Sequence, residues 1–147
     1  MRAVVTRVKS ASVAIGGDVT AEIGKGFLVL LGVHRDDGER EAKKLADKVC
    51  GLRVFEDGNG KMNLNLETAG GEILVVSQFT LYADCRSRRP GFTEAARPET
   101  AVPLYELFMS ECVSRGFTVR HGEFGADMLV SSINDGPVTL ILDTDSL

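Results

Sequence analysis

The feature that most constrains the fold of this sequence is a short apolar run, FLVLLGV, at residues 27–33. Glycine-containing and acidic turn sequences bound the run on both sides, so it has the length of a strand rather than of a helix. A strand without alternating polar positions is typical of a sheet that is covered on both sides. We therefore expect this segment to be a strand that is buried on both faces.

Several other segments have the pattern of strands and are separated by turn signals. Residues 1–9 and 12–15 precede Gly16-Gly17, which predicts a tight hairpin turn into a strand at residues 19–23. Residues 57–71 read as turns around one short strand. Further strands are predicted at residues 72–81, 117–121, 127–132 and 138–143. The pattern as a whole predicts seven to nine strands.

Two segments have the apolar spacing of amphipathic helices. The first helix has a stripe in steps of three, four and three residues, formed by Ala42, Leu45, Val49 and Leu52. The second helix, at residues 98–115, begins with Pro98 and has an apolar stripe formed by Leu104, Phe108 and Cys112. Because the strands come in runs, we expect an α+β fold of one domain, residues 1–147, with a mainly antiparallel, barrel-like sheet and two main helices.

Composition narrows the class of protein. The chain has 147 residues, of which 44% are hydrophobic and 26% charged, as in an ordinary soluble globular protein. No apolar run approaches the ~18 residues of a membrane helix. The first 17 residues lack the continuous apolar segment of a signal peptide, so we expect a cytoplasmic protein with no membrane partner. The net charge of −4 argues against a broad basic surface for nucleic acid.

Neither a metal nor a cofactor is predicted. Cys50, Cys85 and Cys112 are widely separated, and His34 and His121 have no acidic or cysteine motif beside them. The glycine-rich nucleotide motifs, the HExxH metalloprotease motif and the GxSxG hydrolase motif are all absent from the sequence. The commonest nucleotide-binding, metal-dependent and serine-hydrolase functions are therefore excluded.

One local basic cluster remains. The stretch CRSRRPGF places Arg86, Arg88 and Arg89 within four positions. A solvated loop and a phosphate-binding loop both explain this spacing.

The stretch EILVVSQFTLYAD changes character after Val76. Ser77, Gln78 and Thr80 follow the apolar core with hydroxyl and amide groups on either side of Phe79. They could simply satisfy backbone groups at a strand end. Alternatively, a strand that opens into a loop leaves backbone N–H groups free to stabilise an oxyanion, an effect worth about 2.7–4 kcal/mol per donor.

The dipeptide Gly136-Pro137 is the most conformationally restricted feature near the last predicted strand. Proline fixes φ and lacks an N–H, whereas glycine adopts conformations that other residues avoid. One interpretation is a turn before the final strand. The other is a rigid pair of carbonyl groups that accepts hydrogen bonds from the ammonium group of a ligand.

Taken together, SQFTL at residues 77–81 and NDGPVT at residues 134–139 closely resemble the D-aminoacyl-tRNA deacylases. The resemblance spans nearly the whole chain. It includes a first strand with Arg7, GFLVLLGV at 26–33, KMNLN at 61–65, VVSQFTL at 75–81 and ADM at 126–128. The chain departs from the family at Gly91, where a serine is common.

This resemblance implies a function and an assembly. The family hydrolyses the ester bond of D-aminoacyl-tRNA, and of glycyl-tRNA in some mischarging contexts, as a proofreading activity in translation. Its members are homodimers with a β-barrel-like fold and an active site at each side of the subunit interface. Their Gly-Pro bond is cis and enters the pocket of the other subunit, where its carbonyl groups hold the substrate amino group and exclude L-side chains.

The resemblance also implies roles for individual residues. Gly136 and Pro137 match the chirality-sensing dipeptide, and the pocket wall and oxyanion contacts match Ser77, Gln78, Phe79 and Thr80. Arg7 is expected to brace the Gly-Pro segment, and Phe124 and Met128 are expected to line the adenosine side. The 2′-hydroxyl of the tRNA is expected to assist hydrolysis.

Two rival hypotheses stay open from the sequence. Thr80 could attack the ester carbonyl itself, although the sequence indicates no neighbouring base to activate its hydroxyl. The protein could instead be a non-catalytic nucleic-acid or origin-binding module that uses Arg86, Arg88 and Arg89.

Overall fold

The computed structural model describes all 147 residues and has an α+β fold, as predicted. A nearly closed, barrel-like sheet is flanked by helices. The elements in chain order are β1 (Arg2–Ile15), β2 (Asp18–Ile23), β3 (Gly26–Gly32), α1 (Glu39–Gly51), β4 (Phe55–Glu56), β5 (Met62–Leu64), α2 (Leu66–Ala69), β6 (Glu72–Ser77), a 3-10 turn (Phe79–Tyr82), α3 (Pro98–Ser114), β7 (Val119–His121) and β8 (Leu129–Asp143).

Long strand β1 organises the sheet. Its first half pairs with β3 and its second half with β2, both antiparallel, while β8 pairs antiparallel along nearly all of its other edge. The hairpin predicted at Gly16-Gly17 joins β1 to β2 and is confirmed. Strand β8 therefore forms one border of the sheet, and β7 forms the border at the other end.

The prediction of a mainly antiparallel sheet is only partly right, because the sheet is mixed. Strand β6 lies parallel to both β3 and β7. The chain passes through α1 between β3 and β6 and through α3 between β6 and β7. Such crossovers return the chain to the same end of the sheet, so the strands they connect run parallel.

Strand β3 is covered on both faces, as its apolar sequence predicted. Phe27, Val29 and Leu31 belong to the larger core, which α1 and α3 cover. Leu28 belongs to a smaller core formed by strands β1, β2, β3 and β6. Close packing also explains why position 26 is a glycine. An added Cβ would lie 1.8 Å from the carbonyl oxygen of Glu72 on β6.

The helical predictions hold with small corrections. Ala42, Leu45 and Val49 are fully buried on α1, but the helix ends at Gly51, so Leu52 lies just beyond it. The predicted stripe of α3 is buried along its whole length. The short helix α2 and the 3-10 turn were not predicted, because neither contains enough residues for a helical period.

The C-terminal segment differs most from the sequence prediction. Residues 127–132 and 138–143 were predicted as separate strands, but β8 runs continuously from Leu129 to Asp143. Asn134 pairs with Val8 and Thr139 with Thr6, so residues 135–138 form a bulge opposite Arg7. The interpretation of Gly136-Pro137 as a chain-reversing turn is therefore wrong.

Candidate active site

A cavity of about 340 Å³ lies at the end of β6, between the sheet and α3. Most of its wall is apolar and comes from β3, β6, α3 and the segment that enters β8. Ser77, Gln78 and Phe79 line it, and so do Phe124 and Met128, although about 45 residues separate the two groups in sequence. The fold thus brings together five of the residues that the sequence singled out.

The backbone changes direction at Ser77, where β6 ends. The strand predicted to continue to Leu81 instead turns into the 3-10 turn at Phe79. The N–H of Gln78 makes the last bond to β3, donating to the carbonyl of Leu31 at 2.8 Å. The first N–H groups of a helical turn have no partner within it, and those of Phe79 and Thr80 have no intrachain acceptor here. Two adjacent donors are therefore free at this edge of the cavity, one on the wall residue Phe79 and one on Thr80, the next residue in the chain.

The side chains of this segment offer little acid–base chemistry. The Gln78 amide donates to the Thr80 hydroxyl, which makes no hydrogen bond to a carboxylate, a lysine or a histidine. Thr80 is exposed and does not line the cavity. Phe79 is 54% exposed and packs edge-to-face on Phe92, with 5.0 Å between the ring centroids. A base that could activate Thr80 is not in contact with it.

Two residues of the cavity wall were not predicted as site residues. Tyr105 on α3 donates its hydroxyl to the carbonyl of Val75 at 3.2 Å, and burial raises the pKa of Tyr105 to about 12. Its phenol stays neutral near pH 7, and its ring contacts Phe124 edge-to-face. Asp127 contributes the only carboxylate of the wall. Both were detectable in principle, because Tyr105 lies near the apolar stripe of α3 and Asp127 lies within the ADM motif.

Gly136 and Pro137 lie outside this cavity. Their peptide bond is cis, and both residues are exposed on the bulge of β8. Val130 is the last residue of β8 in the cavity wall. Gly136 is six positions further along the strand, which corresponds to about 20 Å. The two family motifs are therefore not joined into one pocket within a single chain.

The buried side chain of Arg7 supports the bulge through hydrogen bonds. Its side chain is only 6% exposed, and its Nε donates to the carbonyl of Asp135 at 3.1 Å. Nη1 donates to the carbonyl of Val54 at 2.5 Å, and the Asp135 carboxylate lies 3.5 Å from Nε. Gly136 has φ of +126°, and an added Cβ would lie 3.0 Å from Nη2 of Arg7. The conformation of the bulge thus depends on Arg7 and on the absence of a side chain at position 136.

Neither histidine lies in the cavity wall. His34 contacts Glu94 at 3.1 Å, and Nδ1 of His121 lies 2.6 Å from the carbonyl of Gly122. The structure contains no group of three or more His, Cys, Asp or Glu side chains arranged to hold a metal ion. None of the helices has the length and apolarity needed to cross a membrane.

The sequence profile of the D-Tyr-tRNA(Tyr) deacylase family matches residues 4–143. The chain belongs to this family. The D-aminoacyl-tRNA deacylase of Desulfatibacillum aliphaticivorans is 57% identical over 145 residues, covering 98% of this chain and 99% of the relative. The D-aminoacyl-tRNA deacylase of Thermosipho africanus is 54% identical over 145 residues, covering 98% and 97%.

Solved structures have the same fold. The structure titled c-Myc DNA Unwinding Element Binding Protein superposes with a TM-score of 0.92 at 40% identity, covering 97% of this chain and 98% of that chain. A probable eukaryotic D-amino acid tRNA deacylase superposes with a TM-score of 0.81 over 96% and 97% of the two chains. At 16% identity this second likeness supports the fold alone.

Membership confirms the resemblance found in the sequence, and it identifies this deacylase-family chain as a hydrolase of aminoacyl-tRNA ester bonds. The roles of individual residues stay predictions. Those predictions apply to two places, the cavity with the free N–H groups at its edge and the exposed bulge of β8.

Proposed function

We propose that the protein hydrolyses D-aminoacyl-tRNA, and mischarged glycyl-tRNA, in the cytoplasm, and that it rejects L-aminoacyl-tRNA. The observation that carries this proposal is the family match across residues 4–143, combined with free backbone donors at the edge of an apolar cavity. The products are a free amino acid and a tRNA with a free 3′-terminal hydroxyl.

The chemistry proposed for the cavity uses main-chain groups. An aminoacyl ester is already activated, so a water molecule needs mainly orientation and a place for the charge that develops on the carbonyl oxygen. The N–H groups of Phe79 and Thr80 are suited to hold that oxyanion, and each such donor is worth about 2.7–4 kcal/mol. The departing ribose oxygen receives a proton as the ester bond breaks, with help from the neighbouring 2′-hydroxyl.

The adenosine of the substrate is proposed to lie against the apolar side of the cavity. Phe124 and Met128 line that side, and the Phe124 ring is held edge-to-face by Tyr105, with 6.0 Å between the centroids. Aromatic rings bind nucleic-acid bases by stacking, which is worth about 1–3 kcal/mol per base. Ser77 and Gln78 line the same cavity and are proposed as its polar wall.

The proposed active unit is a homodimer with a site at each side of the interface. Strand β8 pairs only with β1, so its other edge has unpaired backbone groups along 15 residues. Leu129, Ile133 and Ile141 on this strand are 74%, 60% and 78% exposed. A long exposed edge with apolar side chains is a template for pairing with another chain, and natural proteins usually cover it. A second copy that pairs there would bring its own bulge toward the cavity.

Chirality is proposed to be sensed by Gly136 and Pro137 of the second copy. Their carbonyl groups would accept hydrogen bonds from the substrate ammonium group, and the rigid bulge would clash with an L-side chain. Arg7 supports this assignment because it fixes the bulge without occupying it. A D-side chain would point away from the bulge, so the proposed enzyme accepts many D-amino acids and also glycine, which has no side chain.

Hydrolysis of matched tRNA esters tests this proposal. Purified protein is incubated with D-tyrosyl-tRNA, L-tyrosyl-tRNA and glycyl-tRNA, and the remaining ester is measured over time. We expect rapid loss of the D-ester, slower or comparable loss of the glycyl ester and no loss of the L-ester beyond the spontaneous rate. Equal inertness toward all three esters, or equal hydrolysis of the D- and L-esters, contradicts the proposal.

A second candidate function is non-catalytic binding of nucleic acid. It is favoured by the likeness to the c-Myc DNA Unwinding Element Binding Protein and by the exposed Arg86, Arg88 and Arg89. This function predicts DNA binding that weakens steeply with salt and is lost when the three arginines are neutralised, without any deacylation.

A further inference from the structure

One loop beside the cavity carries a net positive charge in an acidic protein. Residues 84–97 contain four of the 17 lysines and arginines but only two of the 21 carboxylates, so the segment has a formal charge of +2 in a chain of net charge −4. We call residues 84–97 the basic loop. A local positive charge of this kind suits contact with a polyanion.

The basic loop begins with a small hairpin that presents two arginines without partners. Asp84 and Gly91 close its base through two backbone hydrogen bonds of 2.8 and 2.9 Å. Arg86 is held by the carboxylate of Asp84 at 2.5 Å. Arg88 and Arg89 are exposed, and their guanidinium groups make no hydrogen bond or ion pair in the chain. These two charges are therefore available to a ligand.

The basic loop contacts the rim of the cavity at two places. Phe92, one residue beyond the hairpin base, packs on Phe79 of the cavity wall. Ala96 lines the cavity, and the exposed Arg97 follows it. Six residues lie between Asp84 and Gly91, so the hairpin extends about 10 Å from its base. That length corresponds to about three stacked nucleotides at ~3.4 Å each.

We propose that the basic loop is the docking surface for the phosphates of the RNA strand whose 3′ end enters the cavity. Arg88 and Arg89 bind the backbone a few nucleotides before the reacting adenosine, and Arg97 lies at the rim. This inference rests on the proposed deacylase function. Because the two free guanidinium groups are separated from the reacting ester, they position the RNA strand and are not catalytic residues.

The size of the effect follows from the release of counterions. Each phosphate contact on a single strand contributes a slope of about −0.7 in a plot of log affinity against log salt concentration. At ~0.15 M salt this slope is equivalent to about fourfold in affinity for each contact. Loss of both contacts is therefore expected to weaken binding about tenfold and to reduce the slope by about 1.4.

The test compares a long and a short substrate. The double variant Arg88→Gln/Arg89→Gln is assayed on D-tyrosyl-tRNA and on the adenosine ester of D-tyrosine, which has no phosphates. The control is Arg40→Gln/Lys48→Gln, which removes the same charge from exposed, unpaired residues of α1. Binding of uncharged tRNA is measured in parallel over a range of salt concentrations, with a duplex DNA of equal charge as competitor.

We expect kcat/KM on tRNA to fall about tenfold through KM in the loop variant, while the adenosine ester and the control variant change less than twofold. Equal losses on both esters, or an unchanged salt slope for tRNA binding, overturn the proposal. Competition by duplex DNA as strong as by tRNA also overturns it, because the loop would then bind any polyanion. If the parent protein hydrolyses neither ester, the proposed function is wrong. The salt dependence of tRNA binding in the parent and in the loop variant then still shows whether the basic loop binds the RNA strand.

Discussion

The two segments with the family motifs, residues 77–81 and 134–139, are held by the fold in opposite ways. The first follows a strand whose residues Val75 and Val76 are buried in the two cores, and it lines a cavity of its own chain. The second lies on the free edge of β8, where Gly136 and Pro137 are exposed and one buried arginine holds the bulge. One chain therefore completes only one half of the proposed site.

This difference has an energetic consequence. The geometry at Ser77 depends on the packing of the whole core, so a single surface change has little effect on it. The geometry at Gly136 depends on a few polar contacts and on an edge that is uncovered in the single chain. Substitutions can therefore disturb the second segment and leave the first intact. Three experiments of this kind and one on the first segment are ordered below by the size of the expected effect.

The largest effect is expected from charges on the free edge of β8. In Ile133→Lys/Ile141→Lys each protomer should still fold, since both side chains are exposed, but an apolar interface would have to bury unpaired charges. We expect dissociation to monomers and loss of D-tyrosyl-tRNA hydrolysis by about 1000-fold or more, corresponding to at least ~4 kcal/mol. Light scattering and hydrolysis rates measure both quantities.

The matched control replaces two exposed apolar residues elsewhere, Val19→Lys/Met62→Lys, and should retain both assembly and activity. A fully active monomer from the β8 variant would show that the two segments are not brought together by a second copy.

The next largest effect concerns Arg7. Arg7→Met removes the donors to Asp135 and Val54 and leaves the Val54 carbonyl buried without a partner. We expect the free energy of unfolding to fall by about 2–4 kcal/mol, measured by urea denaturation at constant protein concentration. Replacement of the exposed Arg120 by Met should change it by less than about 0.5 kcal/mol. Equal stabilities of the two variants would mean that Arg7 does not hold the bulge.

A smaller and more local effect is expected at Gly136. Gly136→Ala places a Cβ 2.9 Å from Cγ2 of Val138 at a φ of +126°, so the bulge must shift. Strain of about 1–3 kcal/mol should reduce the ratio of D- to L-tyrosyl-tRNA hydrolysis about tenfold with little change in the cavity. Gly58→Ala is the control, because a Cβ there has open space and no positive φ. If the Gly136→Ala variant discriminates between the D- and L-esters as well as the parent does, the Gly-Pro dipeptide does not sense chirality.

The smallest effect is expected at Thr80. Because no base contacts its hydroxyl and its N–H is the proposed working group, Thr80→Ala should hydrolyse D-tyrosyl-tRNA within about threefold of the parent rate. Steady-state rates measure this, and mass spectrometry after rapid quenching detects any acyl-enzyme. A trapped acyl group on Thr80 in the parent, or a loss of ~10⁴-fold in the variant, would establish the covalent route instead.

Much of the fold was predictable from local pattern. The apolar run at residues 27–33 predicted a strand with two buried faces, and the spacing of Leu104 and Phe108 predicted the stripe of α3. The spacing of apolar residues reflects which face of a single helix or strand is buried. It can therefore be recognised within one segment, without knowledge of the rest of the fold. The order of helices between β3, β6 and β7 also contained the signal for parallel pairing, which was overlooked because the surrounding strands came in runs.

The candidate site was predictable only in its composition. Ser77, Gln78, Phe79, Phe124 and Met128 were named from the sequence, and the fold gathers them at one cavity. Tyr105 and Asp127 were missed, although one lies beside the apolar stripe of α3 and the other within the ADM motif, because neither local pattern shows that the residue faces a cavity. That the backbone leaves β6 at Ser77 was also missed, since a 3-10 turn of four residues has no periodicity to detect.

The sequence by itself determined the family, the doubly buried central strand and the identity of both motifs. Only the tertiary structure decided that one motif closes a cavity while the other lies on a free edge about 20 Å along β8. The physical reason is the range of the interactions. Burial and backbone preference act within a few residues, whereas strand partners and sheet borders depend on segments that are distant in the chain.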